Sequence, residues 1–134
     1  MAATFLLQIA SPERVVLRRQ AVSLVAPGVE GYLGILARHA PLLAALDVGQ
    51  LKFTLEDGSE GFVALSGGVL EVSRNEVSVL GDTAELAAEI DGERARRARD
   101  RAWSRLGEKT EGVDSERAQL ALRRALNRLR VAGS

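Results

Sequence analysis

His39 is the only histidine in the chain, and there is no cysteine. Thiolate nucleophiles, disulfides, cysteine metal sites and multi-histidine metal centres are therefore excluded. His39 has no visible partner that would make it a general base, so it reads as a packed or hydrogen-bonded loop residue. Ser66, in Ser66-Gly67-Gly68, lacks the strand–turn–helix setting of a hydrolase serine. What the sequence does concentrate is arginine: residues 94, 96, 97, 99, 101 and 105 crowd one short stretch. Chemistry by positive charge, on an anion or an acidic partner, is better represented than bond-making chemistry.

These arginines begin where the chain changes character, at Ile90-Asp91-Gly92-Glu93-Arg94-Ala95. Before this stretch, apolar residues mostly alternate as in strands; after it they recur every three or four residues as in helices. Residues 1–91 hold 6 Arg/Lys against 12 Asp/Glu, and residues 92–134 hold 12 against 6. An acidic body of −6 is thus joined to a basic tail of +6 under a net charge of zero. At 46% hydrophobic and 27% charged, the chain has the composition of a soluble folded protein rather than a disordered one. The N-terminus, MAATFLLQIASPE, has neither a basic region nor a long apolar run, so no signal peptide is expected. No apolar run approaches the roughly 20 residues that a membrane span needs.

In the body, Thr4–Ala10, Arg14–Leu17 and Ala21–Ala26 read as strands, the last stopped by Pro27-Gly28. Glycines 28, 31 and 34 suggest tight turns or backbone lying close to another surface. Pro41 disfavours the α region for Ala40 and fixes a bend after His39. Leu51, Phe53 and Leu55 alternate into Asp57-Gly58, a type I′ hairpin signal, with a return strand over Gly61–Leu65. Ser66-Gly67-Gly68 interrupts. Leu70 and Val72 then lead to a second turn at Arg74-Asn75, and Val77 and Val79 form a last strand. Many short strands separated by turn signals predict a β-sandwich or barrel.

In the tail, Asp82-Thr83-Ala84-Glu85 reads as the cap of a helical turn. Asp91 is a good N-cap for a longer helix, with Glu93 in its first turn. Ala95, Ala98, Ala102 and Leu106 form that helix's apolar stripe. Gly107–Gly112 breaks it, and Val113-Asp114-Ser115-Glu116 restarts a helix with Ala118, Ala121, Leu122, Ala125, Leu126 and Leu129 as its stripe. Two such helices make an antiparallel hairpin. Its alanine seam is thin, so it needs the body, a partner or a ligand to dock on.

Five segments in this order carry a resemblance: GILARHAPLL at 34–43, LSGGVLEV at 65–72, VSVLGDTAE at 77–85, IDGERA at 90–95 and ALRRALNRL at 121–129. Together they make the chain similar, along nearly its whole length, to the epsilon subunits of F-type ATP synthases. Ala37-Arg38 stands where that family usually has Pro-Gly, and Gly81 where it has Ala. The resemblance implies a mainly β fold with an α appendage. This would be a sandwich of two five-stranded sheets, about ten strands in all, followed by the antiparallel two-helix hairpin. It also implies a sandwich domain over 1–86, binding gamma and the c ring, and a regulatory hairpin over 87–134.

The resemblance further implies a non-catalytic rotor subunit that helps couple proton flow to ATP synthesis. Its hairpin would inhibit hydrolysis by extending to the alpha/beta head, where an acidic beta loop would suit the basic tail. Gly28, Glu30, Gly31, Tyr32, Gly34 and His39 match the family's contacts with gamma and the ring. Glu85, Ile90, Asp91, Arg94, Ala95, Arg124 and Arg128 match positions that hold a regulatory, Mg-free ATP in some members. Arg124 and Arg128 are four apart on one helix face and, facing Arg94, would neutralise a triphosphate. No P-loop is present, so such a site would sense rather than hydrolyse. The implied location is peripheral, on the cytoplasmic face of the bacterial plasma membrane, held there by the complex. The alternative is a nucleic-acid-binding arginine hairpin. An acidic body, a neutral total and few aromatics for base stacking argue against it.

Overall fold

The computed structural model describes residues 2–107 and 115–133. These form two compact units, Met1–Leu86 and Ala87–Ser134. The first contains seven strands: β1 Phe5–Ala10, β2 Val15–Gly28, β3 Gly31–Leu36, β4 Leu42–Leu55, β5 Glu60–Ser73, β6 Glu76–Gly81 and β7 Ala84–Leu86. The second contains a 3-10 turn, Ala87–Glu89, then α1 Gly92–Gly107 and α2 Ser115–Ala132. The expected restart at Val113-Asp114, and the break beyond Gly107, fall outside the described residues.

Three strands of 14 residues, β2, β4 and β5, each serve two layers. The first half of β5 lies between β7 and the second half of β4, which pairs in turn with the second half of β2 and then β3. The second half of β5 lies between the first half of β4 and β6; β1 follows, paired with the first half of β2. Each layer therefore has five strand segments, and the long strands connect them into the expected sandwich. Long strands also explain why the segments that look separate in the sequence are continuous. Arg14–Leu17 and Ala21–Ala26 are parts of β2, and Ser66-Gly67-Gly68 bends β5 without interrupting it.

That bend depends on glycine. Gly67 and Gly68 have φ of 96° and 146°, a region that side chains rarely adopt. A Cβ on Gly68 would also run into the Leu80 carbonyl of the neighbouring strand. At this point β5 exchanges β7 for β6 as its second neighbour. Beside it the Ser66 and Thr83 hydroxyls meet at 2.6 Å, satisfying two polar groups at the corner.

Alternation builds the core. Phe5, Leu7 and Ile9 of β1, Leu51, Phe53 and Leu55 of β4, and Val77 and Val79 of β6 all face inward and are buried. Leu24, Ile35, Val63, Leu65, Leu70 and Val72 complete the layer between the sheets.

One of the two tight turns follows expectation and the other does not. Arg74 and Asn75 both have positive φ, 52° and 60°, which is the type I′ pattern, and Ser73 pairs with Glu76 across them. At Asp57-Gly58 only Gly58 is positive, so the loop there is not type I′. Instead Asp57 accepts hydrogen bonds from the Ser59 hydroxyl at 2.6 Å and the Ser59 amide at 2.9 Å. These bonds lower the carboxyl's pKa. The helical turn expected near Asp82 also starts later. Ala84–Leu86 pair with Val63–Leu65 as a strand, and the turn occupies Ala87–Glu89. Sheet pairing there outweighs local helix propensity.

Candidate functional site

The outer face of the second layer carries an apolar row. Ala45 of β4 lies opposite Val69 of β5, Val69 opposite Leu80 of β6, and Leu80 opposite Ala10 of β1. Leu43 projects from the same face two residues before Ala45. Leu43, Val69 and Leu80 are 71%, 44% and 50% exposed. Isolated exposed apolar residues need no explanation, but a row continuous across four strands marks a surface for a partner. The sequence held a signal for this face that alternation alone does not read. Leu42-Leu43-Ala44-Ala45-Leu46 is apolar without a break, as in strands covered on both sides.

On the other layer, the expected contact residues lie along the β2–β3 hairpin and the β3–β4 connection. Gly28 ends β2 and pairs with Gly31, where a Cβ on Gly28 would crowd the Gly31 carbonyl at 2.6 Å. Glu30 is exposed in the turn. Tyr32, at 64% exposure, shares an outer face with Leu36 and Val25, and Gly34 lies between Tyr32 and Leu36. Nothing lies within 4 Å of where a Gly34 Cβ would stand. The fold itself therefore does not need glycine there. His39 is exposed, and its Nδ1–H donates to the Ala40 carbonyl at 2.7 Å.

In the second unit, Asp91 caps α1: its Oδ1 accepts the Arg94 amide at 3.0 Å, and its carbonyl accepts the Ala95 amide at 3.0 Å. The Arg94 hydrogen bond is the main cause that lowers the Asp91 pKa. Ala95 is buried, while Asp91 and Arg94 are exposed. Arg124 is exposed and Arg128 half-buried on α2. The 3-10 turn that leads into Ile90 packs on α2, as α1 does. Six of the seven candidate nucleotide residues thus belong to one compact unit, with Ile90, Asp91, Arg94 and Ala95 consecutive or nearly so. Glu85 belongs to the other, as the middle residue of β7.

The helical stripes are close to expectation, with two exceptions. Ala95, Ala102, Ala118 and Ala125 are buried, but Leu126 is exposed and Asn127 is buried in its place. Asn127 accepts a hydrogen bond from Arg130 Nη2 at 2.8 Å, which offsets the cost of burying its amide oxygen. Trp103 is 69% exposed. No group of three or more His, Asp or Glu among the described residues is arranged to hold a metal.

Comparison with known proteins fits this two-part organisation. The beta-sandwich domain of the ATP synthase delta/epsilon chain matches residues 4–87. The long alpha-helix domain of the same chain matches residues 88–133. The ATP synthase epsilon chain of Moorella thermoacetica is 50% identical over 128 residues, 96% of each chain. That of Symbiobacterium thermophilum is 48% identical over 129 residues, 96% of this chain and 92% of the relative. Among solved structures, a chain of the Euglena gracilis mitochondrial ATP synthase superposes with a TM-score of 0.78 at 24% identity. It covers 92% of this chain and 78% of that one. A chain from the central stalk and c ring of the Tetrahymena thermophila mitochondrial enzyme gives 0.56 at 16% identity. At such identities these two likenesses speak for the fold.

Proposed function

The chain belongs to the family of ATP synthase epsilon subunits, and from that premise we propose that it is a non-catalytic rotor subunit whose sandwich docks and whose hairpin regulates. The observation that carries the reading is the apolar row Ala45–Val69–Leu80–Ala10 with Leu43 beside it. A sheet face finished this way is built for a permanent partner, and the gamma subunit is the partner assigned to it. The Gly28–Gly34 hairpin and His39 meet the c ring and the adjoining part of gamma. Coupling of proton flow to synthesis then passes through a rigid body held between gamma and the ring. Among the described residues, no helix is long and apolar enough to cross a membrane. The chain is placed at the cytoplasmic face of the bacterial plasma membrane through those partners.

The hairpin is assigned the inhibitory role. Arginines 94, 96, 97, 101 and 105 of α1 are exposed, a surface suited to an acidic segment of the alpha/beta head. Within the helical unit, Asp91, Arg94, Arg124 and Arg128, with Ile90 and Ala95, form the proposed site for ATP without Mg. The arginines would neutralise phosphate, and the apolar residues would support the base. A ligand that binds one hairpin arrangement better than another shifts the balance between them.

The test compares ATP hydrolysis by the assembled enzyme carrying the full chain with that of an enzyme whose chain ends at Glu89. Faster hydrolysis after truncation, with assembly intact, supports the division of labour. Unchanged hydrolysis rejects the inhibitory role, and failure of the truncated chain to assemble rejects the docking role of the sandwich. For the nucleotide, titration calorimetry with Mg-free ATP should give heat that Arg124→Ala and Arg128→Ala reduce. No heat at millimolar ATP rejects the site.

A further inference from the structure

Asn75 joins three segments that are far apart in sequence. Its Oδ1 accepts the Arg38 amide at 2.7 Å, its Nδ2 donates to the Thr4 carbonyl at 2.8 Å, and its own carbonyl accepts the Leu6 amide at 3.3 Å. One side chain thus ties the β3–β4 connection to the start of β1 from the tip of the β5–β6 turn. Its conformation suits the task. Asparagine tolerates the left-handed region, and φ of 60° in the type I′ turn aims the amide away from its own hairpin.

The connection it holds needs holding. Arg38 has φ of 62°, uncommon for a side chain of that size and costly without support. Within the connection the support is short-range: the His39 amide donates to Leu36 at 3.3 Å, and the His39 ring donates to Ala40. The bond to Asn75 reaches outside the connection and fixes Arg38 against another part of the fold.

We infer that Asn75 is a positioning residue for the partner-binding loop, holding Arg38 left-handed so that Arg38 and His39 are presented already in their docking geometry. This rests on the reading of the His39 segment as a partner contact. A loop fixed in advance loses less conformational freedom on binding, so docking is tighter than the contacts alone would give.

Two variants separate the roles of the amide. Asn75→Gly keeps the positive φ and removes both side-chain bonds. Asn75→Asp keeps an acceptor for the Arg38 amide and replaces the donor to Thr4 with a carboxylate oxygen. Amide hydrogen exchange in the full free chain is measured at Arg38 and at the buried strand residues Val63 and Leu70. Binding of the same chains to their own synthase, assembled without this subunit, is measured alongside. In Asn75→Gly the Arg38 amide is expected to exchange about fivefold faster or more, the factor that one ordinary hydrogen bond represents. Val63 and Leu70 should be unaffected, and binding should weaken by a similar factor. Asn75→Asp should recover much of both losses.

Unchanged exchange at Arg38 overturns the inference, as does an equal rise at Val63 and Leu70, which would mean general destabilisation. Faster exchange at Arg38 with binding unchanged removes the positioning role. A wild-type chain that does not join the complex overturns the functional reading instead, while the exchange comparison still decides whether Asn75 fixes Arg38.

Discussion

Two glycines show how differently one residue type is used. A Cβ on Gly68 would meet the Leu80 carbonyl at a φ of 146°, whereas one on Gly34 would meet open space. Gly68→Ala should therefore cost about 2–4 kcal/mol in denaturant unfolding, from strain and clash together. Gly34→Ala should change stability by less than about 0.5 kcal/mol. If a partner's backbone lies against β3, the same Gly34→Ala weakens assembly while leaving the free chain as stable as before. Asp91 was legible as a cap because an acidic residue stood just before the helical period began. Its folded pKa is lowered, chiefly by the Arg94 amide, so the stabilisation is complete above the unfolded value near roughly pH 4 and disappears as pH falls through the folded one. Asp91→Asn should flatten the acid loss of helix content below about pH 4, followed by circular dichroism. Asn75 was legible only as a turn residue, since its partners at 4 and 38 are chosen by tertiary structure.

At the scale of elements, periodicity identified strands and helices but not their lengths. β2 and β5 each run through positions where Gln20 or Gly67-Gly68 break the alternation. A strand can cross between layers at such a place without losing its backbone pairing. The apolar row on β4, β5, β6 and β1 was missed for a related reason: a strand reading that assigns one phase to the core leaves the other phase unexamined. In α2, Leu126 and Asn127 exchange places relative to the expected stripe, because the buried arc is set by packing rather than by hydrophobicity alone. The exposed arginines of α1 give the element its test. Changing Arg96, Arg101 and Arg105 to Glu leaves exposed positions exposed, so the helix should persist by circular dichroism. Inhibition of hydrolysis by the assembled enzyme should fall severalfold, and inhibition by the unaltered chain should weaken with added salt. Retained inhibition after charge reversal would rule out steering by this face.

For the whole molecule, the change in period and charge at Ile90–Ala95 marked the division, and compact units meeting at Leu86 and Ala87 lie within four residues of it. The two units differ in what holds them. The sandwich has a core of large aliphatic and aromatic side chains, while the helices bury mainly alanine, with Val131 at the far end of α2. The sandwich should therefore resist denaturant better than the helices. Loss of helical signal should precede loss of sheet signal in urea, and a single coincident transition would contradict this.

The placement of β1 has a consequence for how the chain acquires its shape. Residues 5–10 pair in parallel with residues 76–80 while also pairing with β2. β1 thus cannot reach its second neighbour until nearly the whole sandwich sequence has emerged. Contacts so far apart in sequence are slow to form, and joining β1 to β6 should be the late step in refolding. Removing a methyl from Ile9, as Ile9→Val, should then speed unfolding more than it slows folding, whereas the same trim at Leu51, within the β4–β5 hairpin, should act mainly on folding. Until β6 emerges, β1 has β2 as its one strand neighbour and leaves its other edge open.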